Sequence, residues 1–181
     1  MQKNRTILRD ARGGMMAAIA IILMFTIRFA PIPQVWFLEY TPVGVPIFFS
    51  ALMFGTVEGL LIALVVSVVQ GLTVSASSGV YGMIMQFLSL GSFVLAAGLF
   101  YKAKHVDIGA ATALAAGTAF SAIVMMGANL VVTPFFTGWP AGAVWNLMPF
   151  IVAFNLFSAG VNSAIAFVIF KLFRDKSKGI I

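Results

Sequence analysis

The chain has no cysteine, a single histidine and few charged residues. Without cysteine it can form no disulfide, no thiolate nucleophile and no cysteine metal site. Charged residues make up 9% of its 181 residues, whereas a soluble domain of this size carries about 25%. Hydrophobic residues make up 61%. This composition excludes an ordinary soluble domain and predicts one all-α, polytopic membrane domain over residues 1–181.

Motifs for catalysis and for energy conversion are also missing. The sequence contains no phosphate-binding loop of the G-x-x-x-x-G-K-[ST] type, no nucleophile–base pair and no carboxylate dyad. No aspartate falls within an apolar run, and Glu58 lies at a predicted turn. His105 has no partner at a metal-ligand spacing. We therefore expect no catalytic residue, metal site or cofactor, and no ion-coupled transport driven by the chain alone.

Long apolar runs predict six transmembrane helices, because a helix needs about 20 apolar residues to cross the hydrocarbon layer. Prolines end the first run in an outer loop at residues 31–42, and a small-residue outer loop covers residues 75–79. A second long outer loop is predicted at residues 133–146, which contain two prolines. The predicted spans are residues 13–30, 43–57, 59–74, 82–101, 108–131 and 147–170.

The basic residues predict which way the protein faces. Ten of the eleven lysines and arginines fall on one side of the six-span plan, and Arg28 alone falls on the other. Short loops rich in these residues stay in the cytoplasm, so both termini and the 102–107 loop should be cytoplasmic. We interpret the cations as topology signals and lipid contacts, not as a nucleic-acid site. The ten residues are Lys3, Arg5, Arg9, Arg12, Lys102, Lys104, Lys171, Arg174, Lys176 and Lys178.

Uncharged polar residues recur at helical spacing within spans three to six. Helix direction places Gln70, Gln86, Asn129 and Asn155 in the outer half of the membrane. Amides facing lipid are costly, so these side chains should face the bundle interior or a cavity. They form either a ligand pocket or interhelical hydrogen bonds, each of which stabilises the bundle by about 0.6–2 kcal/mol. Ser67, Thr73, Ser89, Ser92, Thr118, Ser121, Ser158 and Asn162 belong to the same polar sets.

Aromatic residues are frequent in the two long outer loops. Their rings either stack on a planar ligand or anchor the loops at the membrane interface. The five residues are Trp36, Phe37, Tyr40, Trp139 and Trp145.

A run of small residues lies at the predicted cytoplasmic start of span one. The pairs Gly13/Ala17 and Gly14/Ala18 allow close approach of another helix, either within this chain or in a partner.

Several ordered segments together resemble one protein family. They include Phe-Leu-Glu-Tyr at residues 37–40, Val-Pro at 45–46, Phe-Gly at 54–55 and Glu-Gly-Leu-Leu at 58–61. Gln-Phe at 86–87, a small-residue and aromatic stretch at 91–102 and Phe-Asn-Leu at 154–156 follow. The chain resembles the substrate-binding S component of an energy-coupling factor (ECF) vitamin transporter, and is most similar to the riboflavin type.

This resemblance implies a multi-pass protein of a prokaryotic plasma membrane that works with a transmembrane coupling protein and two cytoplasmic ATPases. A small-x-x-x-small motif on the first helix would dock the coupling protein, at Gly13, Gly14, Ala17 and Ala18. Vitamin would be captured from outside and released inward. The implied ligand-binding residues are Phe37, Leu38, Tyr40, Gln86, Asn129, Asn155 and Ser158.

Departures from the riboflavin-type pattern leave the ligand open. Residues 40–46 carry no acidic side chain, and Ser158 stands where the family tends to have lysine. Riboflavin remains the first expectation, and a pyridoxine-like or queuine-like compound fits an uncharged amide pocket about as well. Two other classes remain as alternatives: a structural membrane protein held together by its amides, and a passive channel or facilitator.

Overall fold

Helices make up most of the computed structural model, which describes residues 2–103 and 107–178. The all-α prediction is confirmed. Lys104 and His105, which we predicted in a cytoplasmic loop, lie outside the described residues. A 3-10 helix, Pro33–Val35, follows the first α-helix. The α-helices are α1 (Gln2–Thr26), α2 (Gly44–Met53), α3 (Thr56–Leu72), α4 (Gly79–Ala103), α5 (Asp107–Thr137), α6 (Ala141–Asn146) and α7 (Met148–Lys178).

Three of the described helices are long and apolar enough to cross a bilayer. Their candidate spans are Gly79–Tyr101, Gly109–Thr137 and Met148–Arg174. The helices α2 and α3 are apolar but shorter, and the apolar part of α1 ends at Thr26, before the predicted residue 30. A six-span count and the direction of the termini therefore stay predictions.

The short helix α2 forms the centre of the bundle. All its residues from Gly44 to Leu52 are buried, and it contacts α1, α3, α4 and α7. A helix that is apolar on every side is stable only when it is enclosed. Phe48 stacks on Phe93 of α4 with ring centres 3.4 Å apart. The helix stops short of the predicted residue 57 because Gly55, with φ of 109°, turns the chain into α3.

The prediction of an outer loop at residues 133–146 is wrong for most of these residues. The helix α5 continues through Pro134 to Thr137, and residues 141–146 form α6. Proline removes one backbone hydrogen bond, and a long apolar helix tolerates this when neighbouring groups supply others. The helix ends at Thr137, three residues after the proline, and the next residue, Gly138, adopts φ of 73°.

The bundle has two chemically different ends. We call one of them the loop end. It contains residues 27–43, 73–78 and 138–140, where α1, α3 and α5 finish and α2, α4 and α6 begin. The other, the basic end, contains the beginning of α1 and the end of α7. There Arg12 lies 5.0 Å from the ring centre of Phe54, and Phe173 lies 5.5 Å from Phe49. Arg28 lies at the loop end, so the structure separates it from the other described basic side chains.

Two glycines of α5 offer a matched test of helix packing. A Cβ at Gly117 would lie 3.0 Å from the Phe93 carbonyl oxygen and 3.1 Å from Ala97 Cβ, whereas a Cβ at Gly127 would meet open space. We expect Gly117→Ala to destabilise the protein by about 1–3 kcal/mol through overpacking. Gly127→Ala should be neutral or stabilising by up to about 1 kcal/mol, because alanine favours helix. Thermal unfolding in detergent measures both, and equal melting temperatures would contradict the packing of α4 on α5.

Candidate functional site

A cavity of about 130 Å³ opens at the loop end of the bundle. Its walls come from α3, α4, α5 and α7, and the segments that join α1 to α2 and α3 to α4 contribute the rest of its lining. It is lined by Arg28, Phe37, Leu38, Glu39, Thr41, Gln70, Val74, Ser75, Ser78, Tyr81, Gly82, Met85, Gln86, Ser89, Met125, Asn129, Val132, Thr133, Phe136, Phe154 and Asn155.

A smaller cavity of about 50 Å³ adjoins the first and extends deeper into the bundle. The two share Glu39, Thr41, Gln86, Ser89, Phe154 and Asn155 in their linings. The stacked rings of Phe48 and Phe93 belong to the lining of the smaller one, beside Ser158 and Asn162. A small molecule in these cavities would therefore meet aromatic rings together with neutral hydrogen-bonding groups, which is the usual chemistry of small-molecule sites.

Two buried asparagines hold their amides in place through their own helices. Asn129 Nδ2 donates to the Met125 carbonyl at 2.8 Å and Asn129 Oδ1 accepts from Thr133 at 3.0 Å, all within α5. Asn155 Nδ2 donates to the Ile151 carbonyl at 2.8 Å within α7. An amide has two donors and an acceptor with two lone pairs. Each of these side chains therefore keeps bonding capacity that its own helix does not use.

Gln70 adds a polar atom without a partner to the same wall. Its Oε1 is buried and accepts no hydrogen bond from the residues that the structure describes, while its Nε2 lies 3.5 Å from Ser75 Oγ. A buried acceptor without a donor costs about 1–3 kcal/mol, so such atoms are uncommon in folded proteins. A ligand N–H or O–H group would remove this cost.

The loop between α1 and α2 covers the cavity and is anchored on both sides. Val35 is fully buried in a small apolar cluster with Val144, Met148 and Ile151. On the other side, Phe29 and Tyr40 pair through two backbone hydrogen bonds of 3.2 and 2.8 Å. Between these anchors the chain presents residues 37–39 to the cavity.

Tyr40 and Asn162 join this loop to α7. The Tyr40 hydroxyl donates to Asn162 Oδ1 at 3.3 Å, and Asn162 Nδ2 donates to the Thr41 carbonyl at 3.3 Å. Burial raises the pKa of the Tyr40 hydroxyl, so it stays protonated and keeps its donor role at neutral pH. Asn162 thus uses its amide to hold the loop, unlike Asn129 and Asn155.

The sequence-predicted ligand residues divide into three groups. Phe37, Leu38, Gln86, Asn129 and Asn155 come together around the larger cavity. Ser158 contributes to the smaller one. Tyr40 is absent from the lining of both described cavities and packs between Phe29 and Phe157 instead, with ring centres 5.3 and 5.6 Å away.

The three tryptophans are also absent from the lining of the described cavities. Trp36 and Trp145 are exposed, and Trp139 meets the edge of Phe37 with ring centres 6.3 Å apart. Their positions agree with interfacial anchoring, and stacking of a ligand on them stays without support.

The two small-residue pairs of α1 face different ways. Gly14 and Ala18 are exposed, and a Cβ at Gly14 would meet nothing. Gly13 and Ala17 are half-buried, and the space of a Cβ at Gly13 is filled by the Glu58 carboxylate of α3. The structure therefore leaves the Gly14/Ala18 pair available to another helix and uses Gly13 within the bundle.

Sequence reasoning missed the charged residues of the cavity. Arg28 donates to the Glu39 carboxylate and to the Val74 carbonyl, which joins the α1–α2 loop to the segment after α3 at the cavity mouth. Thr41 and Thr133 were also not predicted as site residues, whereas Gln70 was expected among the four inward-facing amides. The sequence does contain a signal for this pair. Arg28 is the one basic residue on the predicted outer side of the membrane, and Glu39 follows in the first outer loop.

Fold and cavity together define an apolar helical bundle with a cavity between its helices at one end. The family of the substrate-specific component of ECF transporters matches residues 11–170. A solved structure described as the S component of a bacterial ECF transporter has 28% sequence identity and a TM-score of 0.81. The match covers 97% of this chain and 98% of that one. A search of curated proteins gave no match.

The chain belongs to the ECF transporter S component family, the substrate-specific subunits of these transporters. The resemblance read from the ordered motifs is therefore confirmed. Its family and its structural neighbour are transport components, not enzymes.

Proposed function

We propose that this chain captures a small, planar, uncharged vitamin from outside a prokaryotic plasma membrane, with riboflavin as the first ligand to test. The observation that carries this proposal is the cavity at the loop end, with neutral amides on its walls. The described basic side chains other than Arg28 lie at the opposite end, which the positive-inside rule assigns to the cytoplasm. The cavity then faces the exterior.

The hydrogen bonds of the amides favour a ligand site over a structural role. Asn129 and Asn155 bond to carbonyl groups of their own helices, and among the described residues neither amide joins one helix to another. Among the described residues, the amide that does connect separate elements is that of Asn162, and Thr118 and Ser163 join α5 to α7 at 3.2 Å. An amide that only held helices together would bond across the interface.

Uphill import needs an energy source, and the sequence contains no nucleotide-binding motif. We propose that a transmembrane coupling protein and two cytoplasmic ATPases supply it, with the exposed Gly14/Ala18 face of α1 as the contact for the coupling protein. Small residues let two helices approach closely within lipid.

Ligand binding to the purified chain tests the proposal. We expect one member of a panel of riboflavin, pyridoxine and queuine to bind with a calorimetric heat and to co-purify as a mass signal. A bound flavin would also make the preparation yellow. Transport in liposomes should require the coupling protein and ATPases. Absence of binding by the whole panel would contradict the proposed ligand class, and passive flux without ATPases would indicate a channel.

A further inference from the structure

The larger cavity has two charged side chains in its described lining, and they pair with one another. Arg28 donates to the Glu39 carboxylate, and its side chain also reaches the Val74 carbonyl. The side chains of Arg28 and Glu39 are 28% and 36% exposed, so the pair lies at the mouth, partly withdrawn from water. The other polar groups of this wall are neutral amides and hydroxyls.

The pairing makes the cavity electrically neutral although it contains an arginine. A guanidinium is a strong ligand for phosphate and carboxylate groups. An anion that approached Arg28 here would either displace the Glu39 carboxylate or lie beside it. Like charges at short range repel, and partial burial weakens the screening by water and salt.

We propose that Glu39 is a specificity-determining residue, which excludes anionic ligands by occupying Arg28. The cavity then selects an uncharged compound over its phosphorylated or carboxylated form. This inference refines the ligand class of the proposed function and rests on it for the identity of the ligand. The occupation of Arg28 by Glu39 is testable without any vitamin.

The first experiment measures binding of inorganic phosphate to purified protein in detergent, from the rise in melting temperature at matched ionic strength. We expect Glu39→Gln to bind phosphate about tenfold more tightly than the unmodified chain, because it frees one charged donor group. The double variant Glu39→Gln with Arg28→Gln should lose this gain. Asp10→Asn is the matched control, since it removes the same charge at the exposed basic end.

The second experiment compares each uncharged vitamin with its phosphate: riboflavin with riboflavin 5′-phosphate, and pyridoxine with pyridoxine 5′-phosphate. The unmodified chain should prefer the uncharged member of the pair it binds by about tenfold or more. Glu39→Gln should reduce this preference, and the double variant should restore part of it.

The inference is overturned if Glu39→Gln gains no affinity for phosphate, if the double variant keeps the gain, or if Asp10→Asn shows an equal gain. Equal affinity of the unmodified chain for a vitamin and its phosphate would overturn it too. If the unmodified chain binds neither pair, the proposed vitamin classes fail, while the phosphate series still decides whether Glu39 occupies Arg28.

Discussion

Replacing Gly14 and Ala18 together by leucine should abolish co-purification of the chain with its coupling protein and leave ligand binding unchanged. Both residues are exposed on α1, and a Cβ at Gly14 would meet nothing within the bundle. Two leucines would hold a partner helix away from the backbone surface that it needs to approach. They would not disturb the cavity, which lies at the other end of the bundle.

A matched variant separates docking from a general effect of added bulk. Ala115 and Ala119 of α5 are also exposed and also lie one turn apart. Leucine at both positions should leave the complex intact. Leucine at Gly13 is not a useful substitute, because it would collide with Glu58 and disturb folding. A complex that persists in the Gly14/Ala18 variant would show that α1 does not form the contact through this pair.

Replacing Asn155 by alanine should weaken ligand binding by about tenfold or more and lower the melting temperature only slightly. Asn155 lines both cavities, and its described hydrogen bond goes to its own helix. Losing one hydrogen bond to a buried ligand costs about 1–2 kcal/mol, and 1.4 kcal/mol is a factor of ten. Isothermal calorimetry with the bound member of the vitamin panel gives the affinity, and thermal unfolding without ligand gives the stability.

Asn162 provides the contrasting variant within the same helix. Its alanine replacement leaves the Tyr40 hydroxyl and the Thr41 carbonyl without their partner, which should lower stability by about 1–3 kcal/mol. It also loosens the loop over the cavity. If Asn155→Ala and Asn162→Ala lowered the melting temperature equally and neither changed ligand affinity, the amides would serve structure alone.

Helical spacing was enough to predict that Asn129, Asn155 and Asn162 face inward, but not what each one does. An amide that bonds within its own helix and an amide that holds a loop have the same periodicity. The difference depends on Tyr40 and Thr41, which are more than 100 residues away from Asn162 along the chain. Contacts at such separation are set by tertiary packing, which local patterns do not encode.

The small residues of α1 show the same limit. Gly13 and Gly14 are neighbours in a run of small side chains, and composition treats them alike. Only the position of α3 decides that one faces Glu58 and the other faces outward.

Pro134 is the opposite case, in which a strong local signal was overridden. Its ring and missing N–H predict a helix end, and the surrounding helix continues because the break is cheaper at Gly138.

The shortness of α2 has a consequence for how far a bound molecule still has to travel. Ten residues of helix measure about 15 Å, roughly half the thickness of the hydrocarbon layer. The smaller cavity reaches Val43 and Phe48, at the start of this helix. A molecule seated there would be separated from the basic end by fewer than three turns of α2, beside the stacked rings of Phe48 and Phe93.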